Sequence, residues 1–211
     1  MALVIFDCDG VLVDSEPLAN AVLNQHLCDA GLEISLEEST RLFTGLSMTS
    51  CIALIEARLG RPVGDRFVSD LRAATDAAFR RALKPVSGVS AVLGRLGQPF
   101  CVASSGIHTK IRRSLDLTGL RGFFPESRIF SAEDVDRGKP APDLFLHCAE
   151  RLGSAPGDCV VVEDSRPGVL AARAAGMRVL GYAERTPPRV LAAAGATVFT
   201  RMAELDSLLP G

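Results

Sequence analysis

Three short apolar runs constrain this chain more than any other feature. Ala2–Phe6, Phe100–Ala103 and Cys159–Val162 contain no polar position, and each meets a polar side chain at its end. A run without polar alternation cannot rest one face on water, so each reads as a strand buried on both faces. Arg178–Gly181 and Thr197–Phe199 are shorter candidates. Helical patterns lie between the runs, at Ser87–Leu96, Thr109–Leu117, Asp143–Leu152 and Gly168–Ala175. Strands spaced by single helices predict parallel βαβ units covered on both faces.

Residues 16 to 83 break this rhythm. They hold no strand pattern and read as helix after helix: Pro17–Ala30, Leu36–Phe43, Met48–Leu59 and Arg66–Leu83. Ser35-Leu36-Glu37-Glu38 fits a capping box, with Glu38 reaching back to Ser35. The expected fold class is therefore α/β, a Rossmann-like parallel sheet core with an inserted all-helical cap domain. Residues 1–15 and 84–211 would form the core, and 16–83 the cap. The hinges are expected near Asp14–Glu16 and Ala82–Gly88.

Composition excludes several functions. Formal net charge is −2, which gives no bulk positive field to hold nucleic acid. No apolar run approaches the ~18 residues of a membrane span, so no membrane partner is expected. The first apolar run meets Asp7 at once and lacks a basic flank, unlike a secretory signal. The six cysteines form no C-x-x-C pair, and several sit in apolar runs. They are expected to be free, buried, small hydrophobes in a reducing, cytoplasmic setting. Nothing marks a dimer surface, so a monomer is favoured.

Chemistry-bearing residues gather at the predicted strand ends. Ligands of open parallel sheets bind outside the carboxyl ends of the strands. Asp7 stands there, Asp9 follows, and Gly10 permits a tight turn. Two carboxyl groups this close repel unless a cation intervenes or one keeps its proton. Hard oxygen donors suit Mg²⁺. A carboxylate can also attack phosphorus to form an aspartyl-phosphate, while a second one moves protons. The plain alternative is an Asx turn that ends a strand.

At the second strand end, the Ser104 hydroxyl and the N–H groups of Ser105 and Gly106 can cradle phosphate oxygens, although Ser-Ser-Gly is also an ordinary turn. Lys139 lies in a proline-flanked loop and can neutralise a phosphate and the carboxylate, or simply face solvent. Glu163 and Asp164 end a third strand; either can serve a metal, and Asp164 or Ser165 can cap the next helix. Together these residues make up a nucleophile, an acid–base group, cation ligands and a positive clamp, the set that phosphoryl transfer needs.

In this order the motifs resemble the haloacid dehalogenase superfamily: Asp7-Cys8-Asp9-Gly10-Val11, then Ser104, then Lys139-Pro140, then Glu163-Asp164. The insertion point resembles the helical-cap subfamily, which includes β-phosphoglucomutase, phosphoglycolate phosphatases and sugar-phosphate phosphatases. The resemblance implies that Asp7 is the nucleophile and Asp9 the acid and base. It implies Mg²⁺ held by the Asp7 carboxylate, the Asp9 main-chain carbonyl and Asp164, with help from Glu163. Ser104 and Lys139 would hold the transferring phosphoryl group, and Cys8 is expected to take no part.

The substrate implied is a small phosphorylated metabolite, a sugar or sugar-acid phosphate. Phe6-Asp7-Cys8-Asp9-Gly10 with Asp14-Ser15-Glu16 resembles members of the 6-phosphogluconate phosphatase type. A β-phosphoglucomutase-like mutase is the first alternative. The cap positions that carry histidine, lysine and arginine in those enzymes match Ala19, Thr44 and Met48 here, which disfavours it. A dehalogenase is disfavoured because that branch lacks the second aspartate. A non-catalytic binding or regulatory domain on the same fold is the remaining alternative. Glu16, Thr44, Gly45 and Met48 are the cap positions expected to line the cleft, with Met48 read as core from its helical spacing to Ile52 and Ile55.

Overall fold

A computed structural model describes residues 2–44, 46 and 48–210. The chain divides into two compact units, Met1–Asp14 with Lys84–Gly211, and Ser15–Leu83. Ser15 thus falls in the helical unit, one residue before the boundary read from the sequence.

The order of elements is β1 (Leu3–Phe6), α1 (Glu16–Asp29), α2 (Leu36–Phe43), α3 (Met48–Leu59), α4 (Phe67–Ala82), α5 (Val89–Arg95), β2 (Phe100–Ser104) and α6 (His108–Leu117). Then come β3 (Ile129–Ser131), α7 (Asp143–Arg151), β4 (Cys159–Glu163), α8 (Arg166–Ala174), β5 (Arg178–Tyr182), α9 (Pro188–Ala193), β6 (Thr197–Phe199) and α10 (Leu205–Leu208). The strands form one sheet in the order β3-β2-β1-β4-β5-β6, and every pairing is parallel. The chain runs outward from β1 to β3, then crosses back to β4 and runs outward the other way. That reversal beside β1 opens a crevice at the carboxyl edge, where an α/β sheet binds its ligand.

The continuous apolar runs are explained by burial on both faces. Leu3, Ile5, Cys101, Ala103 and Val161 pack with Leu144, Phe145 and Val169 of α7 and α8. The alternate residues Val4, Phe6 and Val102 are equally buried. Phe6 meets Phe100 edge-on, and Phe100 meets Phe124, with ring centroids 6.1 and 5.4 Å apart. The helical unit has its own core of Leu27, Phe43, Cys51 and Ile55.

Several expectations need correction. β3 was not foreseen, although the equally short β6 was, and the short helices α9 and α10 were missed. Met48 is 40% exposed, not core. Ser35 caps α2 by accepting from the Glu38 N–H at 3.1 Å. A capping box with both legs closes instead at Ser131 and Asp134. All six cysteines are free, and five are buried, with Cys28 half-buried. Among the described residues, no helix is long and apolar enough to cross a membrane.

Candidate active site

Asp7 is the first residue beyond β1, and its N–H donates to the Val162 carbonyl of β4 at 2.9 Å. The chain then folds into a tight loop: the Leu12 and Val13 N–H groups donate to Cys8 O at 3.0 Å, and the Gly10 N–H to Val13 O at 2.9 Å. Val11, Leu12 and Val13 are fully buried, which anchors the loop. Asp7 and Asp9 are therefore fixed at the reversal point of the sheet. Cys8 between them is buried, and that burial raises its thiol pKa well above the usual range, so the sulfur keeps its proton.

Lys139 comes from the loop before α7, and its side chain is 4% exposed. Its Nζ donates to Asp7 Oδ1 at 2.5 Å, Glu163 Oε1 at 2.7 Å and the Ala103 carbonyl at 3.1 Å. The ammonium also stands 4.9 Å from the Phe145 ring centroid. All three ammonium protons thus have oxygen partners. Burial works against the charge of Lys139, but Asp7 and Glu163 outweigh it and hold the ammonium above its ordinary pKa. Within this trio two carboxylates share one cation. Burial pushes the Asp7 carboxyl up to about 7, against the opposing pull of Lys139 and with a further push from Glu163. A proton or a metal ion relieves the excess negative charge.

Glu163, 1% exposed, is fully engaged. Oε1 accepts from Lys139, and Oε2 accepts from the Ser165 N–H at 2.9 Å and the Ser165 hydroxyl at 2.8 Å. The same Ser165 hydroxyl caps α8 through the Gly168 N–H. Glu163, expected to help hold the metal, has three of its acceptor positions taken here, and these contacts orient Lys139 and the helix start. A side chain at Gly168 would place its Cβ 1.7 Å from Glu163 Oε1, so this close packing requires glycine.

Asp164 approaches the β1 loop at Gly10. A Cβ at Gly10 would sit 1.9 Å from Asp164 Oδ2, and Gly10 itself takes φ +80°. Gly10 therefore serves both the turn and the approach of Asp164 to the segment carrying Asp7 and Asp9. The donor set is all oxygen, which suits a hard divalent cation. No cluster of three or more His, Cys, Asp or Glu side chains shaped for a metal occurs among the described residues.

Ser104 ends β2, is 2% exposed, and accepts the Gly106 N–H on its hydroxyl oxygen at 3.0 Å. The Gly106 N–H, expected to help cradle phosphate, donates here to Ser104. Ser105 is exposed. The Gly106 carbonyl accepts from the Ser131 hydroxyl at 2.7 Å, tying this loop to β3.

Asp9 faces a lysine that sequence reasoning missed. Lys110 Nζ lies 2.7 Å from Asp9 Oδ2. Lys110 sits in the first turn of α6, four residues past Gly106; a basic residue just after a strand-end Ser-Gly was the available signal.

Glu16 and Thr44 belong to the helical unit, where Glu16 opens α1 and Thr44 caps the end of α2. Gly45 lies outside the described residues. Two cavities, of about 460 Å³ beside Asp136 and His147 and about 670 Å³ beside His26 and Arg61, are lined by none of these site residues.

Residues 1–176 match the haloacid dehalogenase-like hydrolase family. The chain is similar to 6-phosphogluconate phosphatase of Escherichia coli strain K12, at 28% identity over 97% of this chain and 93% of that protein. It is similar to fructose-1-phosphate phosphatase of the same strain, at 31% identity over 82% of this chain and 92% of that protein. The crystal structure of a haloacid dehalogenase-like protein from Agrobacterium tumefaciens superposes with a TM-score of 0.90 at 38% identity, covering 99% of this chain and 97% of that one.

Proposed function

We propose, from the premise that this chain belongs to the haloacid dehalogenase-like hydrolases, that it is a Mg²⁺-dependent phosphatase of a small sugar or sugar-acid phosphate, working through an aspartyl-phosphate on Asp7. The observation that carries the reading is Asp7 at the carboxyl end of β1, with Lys139 clamped between it and Glu163. A buried carboxylate held by one fixed cation is kept in place without bulk water and without side-chain reorganisation.

In the first step a carboxylate oxygen of Asp7 forms a bond to phosphorus as the bond to the leaving oxygen breaks, and Asp9 gives that oxygen a proton. In the second step Asp9 takes a proton from water, the water oxygen bonds to phosphorus, and the bond to Asp7 breaks to release phosphate. Lys139 and Ser104 hold the transferring group. Asp7, the Asp9 main-chain carbonyl and Asp164 would hold Mg²⁺, which when bound offsets negative charge on the phosphoryl oxygens.

Substrate choice is assigned to the helical unit, through Glu16 and Thr44. Two relatives of similar identity act on different phosphates, 6-phosphogluconate and fructose 1-phosphate. The chemistry above is indifferent to the leaving alcohol, so the distinction must come from elsewhere.

The test is phosphate release from 6-phosphogluconate, hexose phosphates, phosphoglycolate and nucleoside monophosphates, with Mg²⁺ and with EDTA. Release from sugar or sugar-acid phosphates that stops in EDTA is expected. Release that persists undiminished in EDTA, or none from any compound, overturns the reading.

A further inference from the structure

Lys110 carries the strongest unassigned contact near the site. It reaches Asp9 across 101 residues of sequence at 2.7 Å. Its stem has a prepared path: a Cβ on Gly106 would lie 3.3 Å from Lys110 Cδ, so the lysine runs over bare glycine backbone. The base of the stem is fixed as well. The Ser131 hydroxyl holds the Gly106 carbonyl, and Glu133 Oε2 accepts the His108 N–H at 2.8 Å. The first turn of α6 is thereby tied to β3 and its following turn.

We propose that Lys110 is the positioning residue of Asp9, aiming its carboxyl toward the leaving-group oxygen, a role that rests on reading Asp9 as acid and base. An Asp side chain turns about two bonds, and the Asp9 carboxyl is 29% exposed to water, so its orientation depends on its polar partners. A lysine delivered from a tied helix is such a partner. Orientation of this kind affects rate more than stability, because proton transfer requires the donor within hydrogen-bond reach of the reacting oxygen.

The experiment compares wild type, K110A, K110R, D9N and D9N/K110A, full length and with Mg²⁺. Two substrates are used: p-nitrophenyl phosphate, whose leaving group departs without a proton, and the best alkyl phosphate of the panel. The readout is kcat/KM, which reports the first phosphoryl transfer and not the later hydrolysis. K110A is expected to lose about tenfold on the alkyl phosphate, a part of the general-acid contribution, and much less on p-nitrophenyl phosphate. K110R should recover most of the loss, and D9N/K110A should be no worse than D9N.

An equal loss on both substrates, or a further loss in the D9N background, overturns the proposal and places Lys110 on the substrate phosphate instead. Unchanged kcat/KM in K110A overturns it too. D9N alone tests the underlying reading: wild-type turnover of the alkyl phosphate by D9N would remove Asp9 from proton transfer, whatever K110A does.

Discussion

Asp7 and Asp9 lie two residues apart and each meets a lysine, but the two pairs occupy different media. The Asp7–Lys139 side chains are 11% and 4% exposed, and a second carboxylate, Glu163, completes the group. The Asp9–Lys110 side chains are 29% and 44% exposed. In the first pair the charges have left water, and each depends on the others for what it lost. In the second, water still solvates both partners and the attraction is screened. One loop thus carries a rigid, water-poor carboxylate suited to nucleophilic attack and a wetter one suited to exchanging protons.

Removing the nucleophile should have the largest effect. Asp7→Asn is expected to abolish phosphate release while the protein stays folded, since asparagine replaces the carboxylate at equal size. Turnover by a clean preparation of D7N would break the comparison at its root. Removing the cation comes next. Lys139→Ala leaves Asp7 and Glu163 buried without their shared ammonium, at a cost of about 3–5 kcal/mol in urea unfolding, besides lost activity. A cost below about 1 kcal/mol would show that the trio behaves like a surface pair.

These differences were partly legible in the sequence. The α/β core was, because strands buried on both faces are written as unbroken apolar runs such as Cys159–Val162. Asp7, Lys139 and Asp164 were candidates because strand ends and a proline-flanked loop are visible without coordinates. The partners of Glu163 were not legible, because a carboxylate's type is visible in a sequence but its contacts with Lys139 and Ser165 are not. Lys110 escaped because its place after Ser105-Gly106 hints at the site but not at its partner Asp9, 101 residues away, and a lysine in a first helical turn looks solvated. β3 escaped where the equally short β6 did not, because Ile129-Phe130 follows Arg128 and stands next to no helical pattern read from the sequence.

Gly168→Ala should have a smaller effect on the buried side. The added methyl would collide with the Glu163 carboxylate, whose nearest oxygen is 1.7 Å from the ideal Cβ position. Overpacking of this kind costs about 1–3 kcal/mol. It should also lower activity by moving the carboxylate that holds Lys139. A stable, fully active G168A would mean that Glu163 has room to retreat.

The pH dependence of stability sharpens the contrast further. The folded-state pKa of Asp7 is raised from 3.8 to about 7, chiefly by burial. The folded chain therefore binds this proton more tightly than the unfolded chain does. The resulting stability is present in full below about pH 4 and is lost as pH rises through about 7. Without divalent ions, wild type should lose Tm relative to D7N between about pH 5 and pH 8. Mg²⁺ should raise the wild-type Tm more at the higher pH, where no proton competes for the carboxylate. A Tm difference between wild type and D7N that ignores pH would mean that Asp7 is ionised throughout.

The smallest effect is expected at Lys110, and its size is informative. Lys110→Ala should change unfolding free energy by about 0–1 kcal/mol, the range of exposed ion pairs. Asp9, 29% exposed, can turn to water when its lysine is gone, whereas Asp7, at 11%, has much less access. Urea unfolding of K110A and K139A under one set of conditions measures this directly. If K110A costs as much as K139A, the Asp9 pair is as water-poor as the Asp7 pair, and Lys110 holds the fold as well as a side chain. If K110A is stable and yet selectively slow on poor leaving groups, stability and positioning separate, as the exposure of the two pairs implies.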